Sequence, residues 1–171
     1  MSDERQEPEG PLGGELAHVA AYLEFYRSTL VEKCRSLPAA ELRVARMPSG
    51  WTPLELLDHV AHMEQRWIVW GFLGEPVERP WEDSGDDPEG RWQVPAGTSA
   101  DDVAAMLRSV GAVARGVLAD VPLDTVAATG GRFDADPPPL AWICFHVLQE
   151  YARHVGHLDV VIELAGGPTG E

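Results

Sequence analysis

The sequence predicts an all-α protein, a four-helix bundle with a long crossover loop between its second and third helices. Four segments carry apolar residues at steps of three and four, the spacing that places side chains on one face of an α-helix. Helix-start and helix-stop residues bound these segments, and no convincing run of strands lies between them. The length of 171 residues suits one domain with a sizeable core, which we expect over residues 14–171.

Composition limits the partners and the compartment. The formal net charge is −15, and no cluster of lysine and arginine is present to neutralise phosphates, so nucleic acids and anionic membranes are disfavoured. The apolar runs are shorter than the ~18 residues of a membrane span, and the N-terminus lacks a secretory signal. Cys34 and Cys144 are too few for a disulfide framework. We therefore expect a cytoplasmic protein with two buried free thiols.

The first two helices follow a loosely attached start. Residues 1–13 are acidic and rich in proline and glycine, which predicts a disordered lead-in. Helical periodicity then runs over residues 15–33. The second helix has the clearest start, because Thr52 can cap it, a proline occupies its first position and Glu55 follows three residues after the cap. Its pattern continues to about residue 73, where glycine and proline end it.

A long connection separates the second and third helices. Residues 75–98 are rich in proline, glycine and carboxylates, which excludes a long helix. Trp81 and Trp92 lie in this segment, and large aromatic side chains are costly to leave in water. One interpretation is a lid or pocket wall; the other is an acidic surface excursion with its tryptophans packed on the bundle.

The third and fourth helices complete the bundle. Ser99 precedes two aspartates and begins a third helix that runs to about residue 120. An irregular connection with a Gly-Gly turn, and one short strand at most, leads to three prolines at 137–139. The fourth helix is predicted over residues 140–164, where glycines end it.

The fourth helix carries the chemistry. At about 100° per residue, His146, Glu150, His154 and His157 share one side of it, and His154 lies within the apolar arc. Glu150 and His154, four residues apart, can hold one metal ion from a single turn. A third ligand must come from another helix, and His59 is the other histidine that lies in an apolar face near a helix middle.

Two interpretations of these residues remain open. A set of two histidines and one glutamate leaves a coordination position free, which is typical of catalytic zinc. In the alternative, Glu150 forms a salt bridge with Arg153 or Arg66, and the histidines form hydrogen bonds within the core. His146 fits the structural role.

Two strings add a resemblance. Two stretches of the chain resemble the DinB-like superfamily of metal-binding four-helix bundles. They are residues 50–67, GWTPLELLDHVAHMEQRW, and residues 140–171, LAWICFHVLQEYARHVGHLDVVIELAGGPTGE. Its actinobacterial branch carries an EEYARH-x-GH-x-D string and ends near D-G-x-T-G-E. Gln149 replaces the first glutamate, and His157 occupies a position where many relatives have glutamine.

The resemblance implies a ligand set and a reaction. Superfamily members bind zinc or nickel through a histidine on the second helix and H-x-x-x-H on the fourth. The mycothiol-dependent maleylpyruvate isomerase relatives use E-x-x-x-H, which maps the ligands onto His59, Glu150 and His154. A mycothiol-dependent S-transferase or isomerase acting on a small electrophile is thus implied, with mycothiol as cosubstrate.

Further roles follow as hypotheses. Arg153 would orient the thiol or substrate, and His157 would act next to the ligands or in proton transfer. A metal-dependent hydrolase, with His157 or Glu64 as base, and a non-catalytic metal- or small-molecule-binding, stress-associated protein stay open. The exposed faces of a bundle are compatible with a homodimer. The expected substrate pocket comprises Met63, Trp67, Trp81 and Trp92.

Overall fold

The computed structural model describes residues 7–78 and 92–167. Over these ranges the chain is helical, and the predicted four-helix bundle is confirmed. Its helices are α1 (Glu15–Ser36), α2 (Pro53–Gln65), α3 (Ala100–Asp120) and α4 (Leu140–Leu164), with a single 3₁₀ turn at Glu41–Arg43. The interior of the predicted crossover loop, with Trp81, and the C-terminal residues 168–171 lie outside the described residues.

Local signals at the helix starts act as the sequence predicts. At the start of α2 the Thr52 hydroxyl accepts a hydrogen bond from the Glu55 N–H at 3.3 Å, and the Thr52 N–H donates to the Glu55 carboxylate at 2.7 Å. Ser99 and Asp102 form the same reciprocal pair at the start of α3, at 3.2 and 2.8 Å. Both capping boxes satisfy backbone N–H groups that the first helical turn leaves without a partner.

The second helix continues beyond its α-helical part as a π-helical segment, Arg66–Phe72. The α3–α4 connection supplies backbone donors to this segment: the Arg132 N–H donates to the Trp70 carbonyl at 3.1 Å, and the Ala128 N–H donates to the Phe72 carbonyl at 2.9 Å. A Cβ on Gly131 would lie 2.1 Å from the Trp70 carbonyl oxygen, so this approach requires glycine. The wider helical turn is thus stabilised from outside the helix.

Where the sequence predicts one short strand at most, the described residues contain a single antiparallel bridge, between Val126 and Pro139. It lies directly before α4, where the Leu140 N–H donates to the Thr125 carbonyl at 2.8 Å. The bridge fixes the start of α4, whose first residue and last residue agree with the prediction. None of the described helices is long and apolar enough to cross a membrane.

The core lies between the four helices. Helices α1 and α2 each pack against both α3 and α4, so α4 contacts the two helices that carry most of the polar core residues. Apolar side chains from every helix fill the centre, among them Leu23, Leu30, Leu57, Leu107 and Leu158. Several charged or polar side chains are nevertheless buried in the bundle, and some of them form two polar sites between the helices.

Candidate metal centre

The first polar site joins α2 to α4. His59 lies in the middle of α2, and Glu150 and His154 occupy successive turns of α4. One potential ligand atom from each side chain lies within 4.8 Å of the other two. His59 and His154 are 4% and 5% exposed, respectively, whereas Glu150 is partly exposed. Two imidazoles and one carboxylate therefore converge at the edge of the core, between two helices.

The pair on α4 is already close to a chelating arrangement. The Glu150 Oε2 atom lies 3.3 Å from the His154 Nε2 atom. Two ligands of a tetrahedral zinc ion, each about 2.0–2.1 Å from the metal, are separated by a similar distance of about 3.3 Å. The four-residue spacing on a helix thus produces the separation that a shared metal requires.

The charge state of His154 also suits a ligand. Burial lowers its pKa below the ordinary 6.5; the neighbouring charges of His157 and Arg153 act in the same direction, whereas Glu150 opposes them. A neutral imidazole offers one nitrogen lone pair to a metal. The buried Nδ1 atom of His154 has no hydrogen-bond partner among the described residues. The Nε2 atom, which lies beside Glu150, is the nitrogen placed to share a metal with that carboxylate. Two imidazoles and one carboxylate form a donor set that fits zinc or nickel.

Trp92 covers the histidines of this site. Its ring lies parallel to that of His59, with centroids 3.9 Å apart and 11° between the planes. The same ring is 5.8 Å from that of His154 in an edge-on arrangement. Trp92 is the first residue described after the crossover loop's interior, so the predicted contact between this loop and the bundle occurs at the candidate ligands.

The other expected site residues lie in different surroundings. The His157 ring is 5.5 Å from that of His154, and both His157 and Arg153 are exposed on α4. Met63 and Trp67 are buried within the core. Trp81 belongs to the part of the loop that is not described.

Trp67 and His146 form an aromatic cluster with Trp142. The His146 ring lies 4.1 Å from that of Trp67 and stacks on that of Trp142 at 5.4 Å. The Arg132 guanidinium carbon lies over the Trp67 ring, 4.1 Å from its centre. His146 therefore belongs to a packed aromatic and cationic cluster, which agrees with a structural role.

The second polar site is a buried network that sequence reasoning did not assemble. The Arg27 Nε atom donates to both Glu64 carboxylate oxygens, at 2.9 and 3.2 Å, and its Nη2 also contacts Oε1. The Tyr151 hydroxyl donates to Glu64 Oε2 at 2.5 Å. Because these contacts occupy the Glu64 carboxylate, it is a poor candidate for a general base. A signal was present, since Arg27 lies in helical phase with Leu23 and Leu30.

A separate cavity of about 840 Å³ lies between α1, the α3–α4 connection and the first half of α4. None of the candidate metal ligands lines it. Its walls are largely apolar, with Phe145 and Val126 strongly exposed beside it. The cavity and the candidate metal centre are therefore different features of the molecule.

Comparison with known proteins adds to this geometry. A family model described as mycothiol-S-transferase matches residues 18–167. The chain belongs to the mycothiol-S-transferase family. Helices α2, α3 and α4, all but the first three residues of α1, and all three candidate ligands of this family member lie within the matched range.

The fold has a solved counterpart. A crystal structure of a DinB-like protein from Bacillus cereus ATCC 10987 has a TM-score of 0.57 with this chain, at 16% sequence identity. The similarity covers 88% of this chain and 95% of that chain, so the DinB-like fold is confirmed over nearly the whole bundle. No curated protein sequence matches the chain.

Proposed function

We propose that this family member is a mycothiol-dependent S-transferase that holds a zinc or nickel ion through His59, Glu150 and His154. The convergence of these side chains within 4.8 Å, from two helices, is the observation that carries the proposal. A divalent cation bound there would lower the pKa of a thiol and favour its thiolate form at neutral pH. The family's name supports mycothiol as the thiol.

The chain's own residues supply the rest of the chemistry. His157, exposed 5.5 Å from the His154 ring, accepts the proton that the thiol loses. Arg153, exposed on the same helix, orients the polar part of the thiol or of the substrate. Trp92 forms an aromatic wall against which a small electrophile packs and which excludes water. In the transfer, the thiolate sulfur forms a bond to an electrophilic carbon of the substrate. In a substitution, the bond from that carbon to a departing group breaks and its electron pair leaves with the group; in an addition, a π bond at that carbon breaks and its electron pair moves onto the substrate, which then takes up a proton.

The test combines elemental analysis with an activity screen. The purified protein should contain about one zinc or nickel ion per chain, because the donor set provides one site. A panel of small electrophiles is then incubated with mycothiol, with another low-molecular-weight thiol, and without thiol. Thioether formation or isomerisation that needs mycothiol and the bound metal supports the proposal. Substrate cleavage without thiol supports a hydrolase instead, and metal without turnover supports a non-catalytic binding protein.

A further inference from the structure

The buried network of Arg27, Glu64 and Tyr151 links the same helices that carry the candidate ligands. On α4, Tyr151 directly follows Glu150 and precedes His154 by three residues. On α2, Glu64 follows His59 by five residues, about 7.5 Å along the helix axis. The hydrogen bond from Tyr151 to Glu64 is therefore a direct polar link between α2 and α4, close to the level of the ligands.

This link restricts how the two helices can slide past each other. Apolar side chains pack without strong directional preference, whereas a hydrogen bond is strong only over a narrow range of distance and angle. A shift of α4 along α2 would separate the Tyr151 hydroxyl from Glu64 and leave both groups unsatisfied in the core. The register of these helices also determines whether His59 meets Glu150 and His154.

The carboxylate at the centre is itself held from the opposite side of the bundle. Arg27 on α1 contacts both oxygens of Glu64, and its Nη1 donates to Glu24 at 3.0 Å. On α3, a Cβ at Gly111 would lie 2.9 Å from the Arg27 Nε atom, so the absence of a side chain there makes room for the guanidinium. All four helices thus contribute to the position of Glu64.

Stability alone is a weak explanation for such a network. Replacing a buried ion pair with apolar residues of similar size often leaves the stability of a protein unchanged or increases it. We infer that Arg27, Glu64 and Tyr151 are positioning residues that hold α4 in the register at which His59, Glu150 and His154 meet. This inference rests on the proposed metal site.

The experiment uses cobalt(II) as a spectroscopic substitute for zinc in the full chain. Tyr151→Phe removes the hydroxyl alone, and the triple variant Arg27→Met, Glu64→Leu, Tyr151→Phe replaces the whole network with apolar groups. Ile162→Val, a buried change at the far end of α4, is the control for general loss of packing. Cobalt affinity, the visible absorption of the bound cobalt and the thermal midpoint are measured for each.

We expect Tyr151→Phe and the triple variant to bind cobalt about tenfold more weakly or worse, the range found when groups supporting metal ligands are lost. The cobalt absorption should change as well, while the triple variant keeps a thermal midpoint near that of the original protein. If both variants keep the cobalt affinity and the spectrum of the original protein, the positioning role is overturned, whereas the proposed metal site is not. If the original protein does not bind cobalt, or if His59→Ala still binds it, the proposed metal site itself is contradicted.

Discussion

The indole ring of Trp92 lies parallel to the imidazole ring of His59, 3.9 Å away, and so joins the end of the crossover loop to the middle of α2. Stacking of this kind protects one face of the imidazole from water. A change in the surroundings of His59, such as metal binding, should therefore alter the fluorescence of Trp92.

Metal binding should quench the fluorescence of Trp92. Nickel(II) and cobalt(II) quench nearby indoles, and no other described tryptophan stacks on a candidate ligand. We expect a saturable loss of tryptophan emission on titration, most of which disappears in Trp92→Phe. Trp142→Phe, in the aromatic cluster with His146, should retain the loss. An unchanged titration in Trp92→Phe would contradict the proposed position of the metal.

Removing any one candidate ligand should strongly weaken metal binding. His59→Ala, Glu150→Gln and His154→Ala each remove one of three donors, so the loss should exceed the roughly 10–100-fold effect of removing an outer partner of a ligand. Elemental analysis after dialysis measures the retained metal. His62→Ala, one turn along on α2, is the matched control and should retain the original metal content. Equal losses in the control and the ligand variants would contradict the assignment.

The two cysteines should be inert in the folded protein. Burial raises the pKa of Cys34 to about 12 and that of Cys144 to about 11, so neither thiol forms an appreciable amount of the reactive thiolate at pH 8. An aromatic disulfide reagent should label less than about one thiol per chain in an hour in native buffer, and both thiols at once in guanidinium. Rapid labelling of the native chain would show that one cysteine is accessible.

The capping boxes should contribute similarly to stability. Thr52→Ala and Ser99→Ala each remove a side-chain acceptor at a helix start, at a cost of about 1 kcal/mol in the free energy of unfolding. For a chain of this length, the thermal midpoint should fall by about 2–4 °C in each variant. Thermal unfolding followed by circular dichroism measures this. A negligible shift in either variant would mean that the corresponding box is not formed in solution.

Asp58 should make the metal-free protein less stable as the pH rises. Burial raises its pKa from 3.8 to about 6, so the folded state holds a proton that the unfolded state has released. The loss of stability that this shift causes is absent below about pH 4, grows between about pH 4 and 6, and is complete above about pH 6. Asp58→Asn removes it, and the variant should exceed the original protein by about 1 kcal/mol at pH 8, after allowance for remaining solvent contact.

The matched control for this pH dependence is Asp124→Asn, which removes one charge from an exposed residue of the α3–α4 connection. Denaturant unfolding at pH 4, 6 and 8 separates the two variants. A stability difference for Asp58→Asn that is constant over this range would contradict the assigned titration.

The sequence predicts the helices well where their end signals are local. The starts of α2 and α4 agree because capping residues and prolines act over a few neighbouring positions. The apolar periodicity of α1 was traced to Lys33, and the helix continues for three more residues to Ser36, directly before Leu37 and Pro38, which the sequence marks as its end. The π-helical turn was not predicted, because its stability depends on backbone donors from the distant residues 128 and 132.

The polar sites likewise include residues that the sequence predicts and residues that it does not. The Glu150 and His154 pair follows from spacing within one helix, and His59 follows from its place in the apolar face of the second helix; the resemblance implies the same three residues. The network of Arg27, Glu64 and Tyr151 joins three helices, so its partners become evident only when the packing is known.

The unequal division of the candidate ligands, two on α4 and one on α2, has a kinetic consequence. A small separation of α2 from α4 would break contact with His59 while Glu150 and His154 still hold the ion from one helical turn. Metal exchange could then proceed through a bidentate state without unfolding of the bundle. The rate of metal release to a chelator would follow the opening of a single helix interface, and it would be much faster than global unfolding.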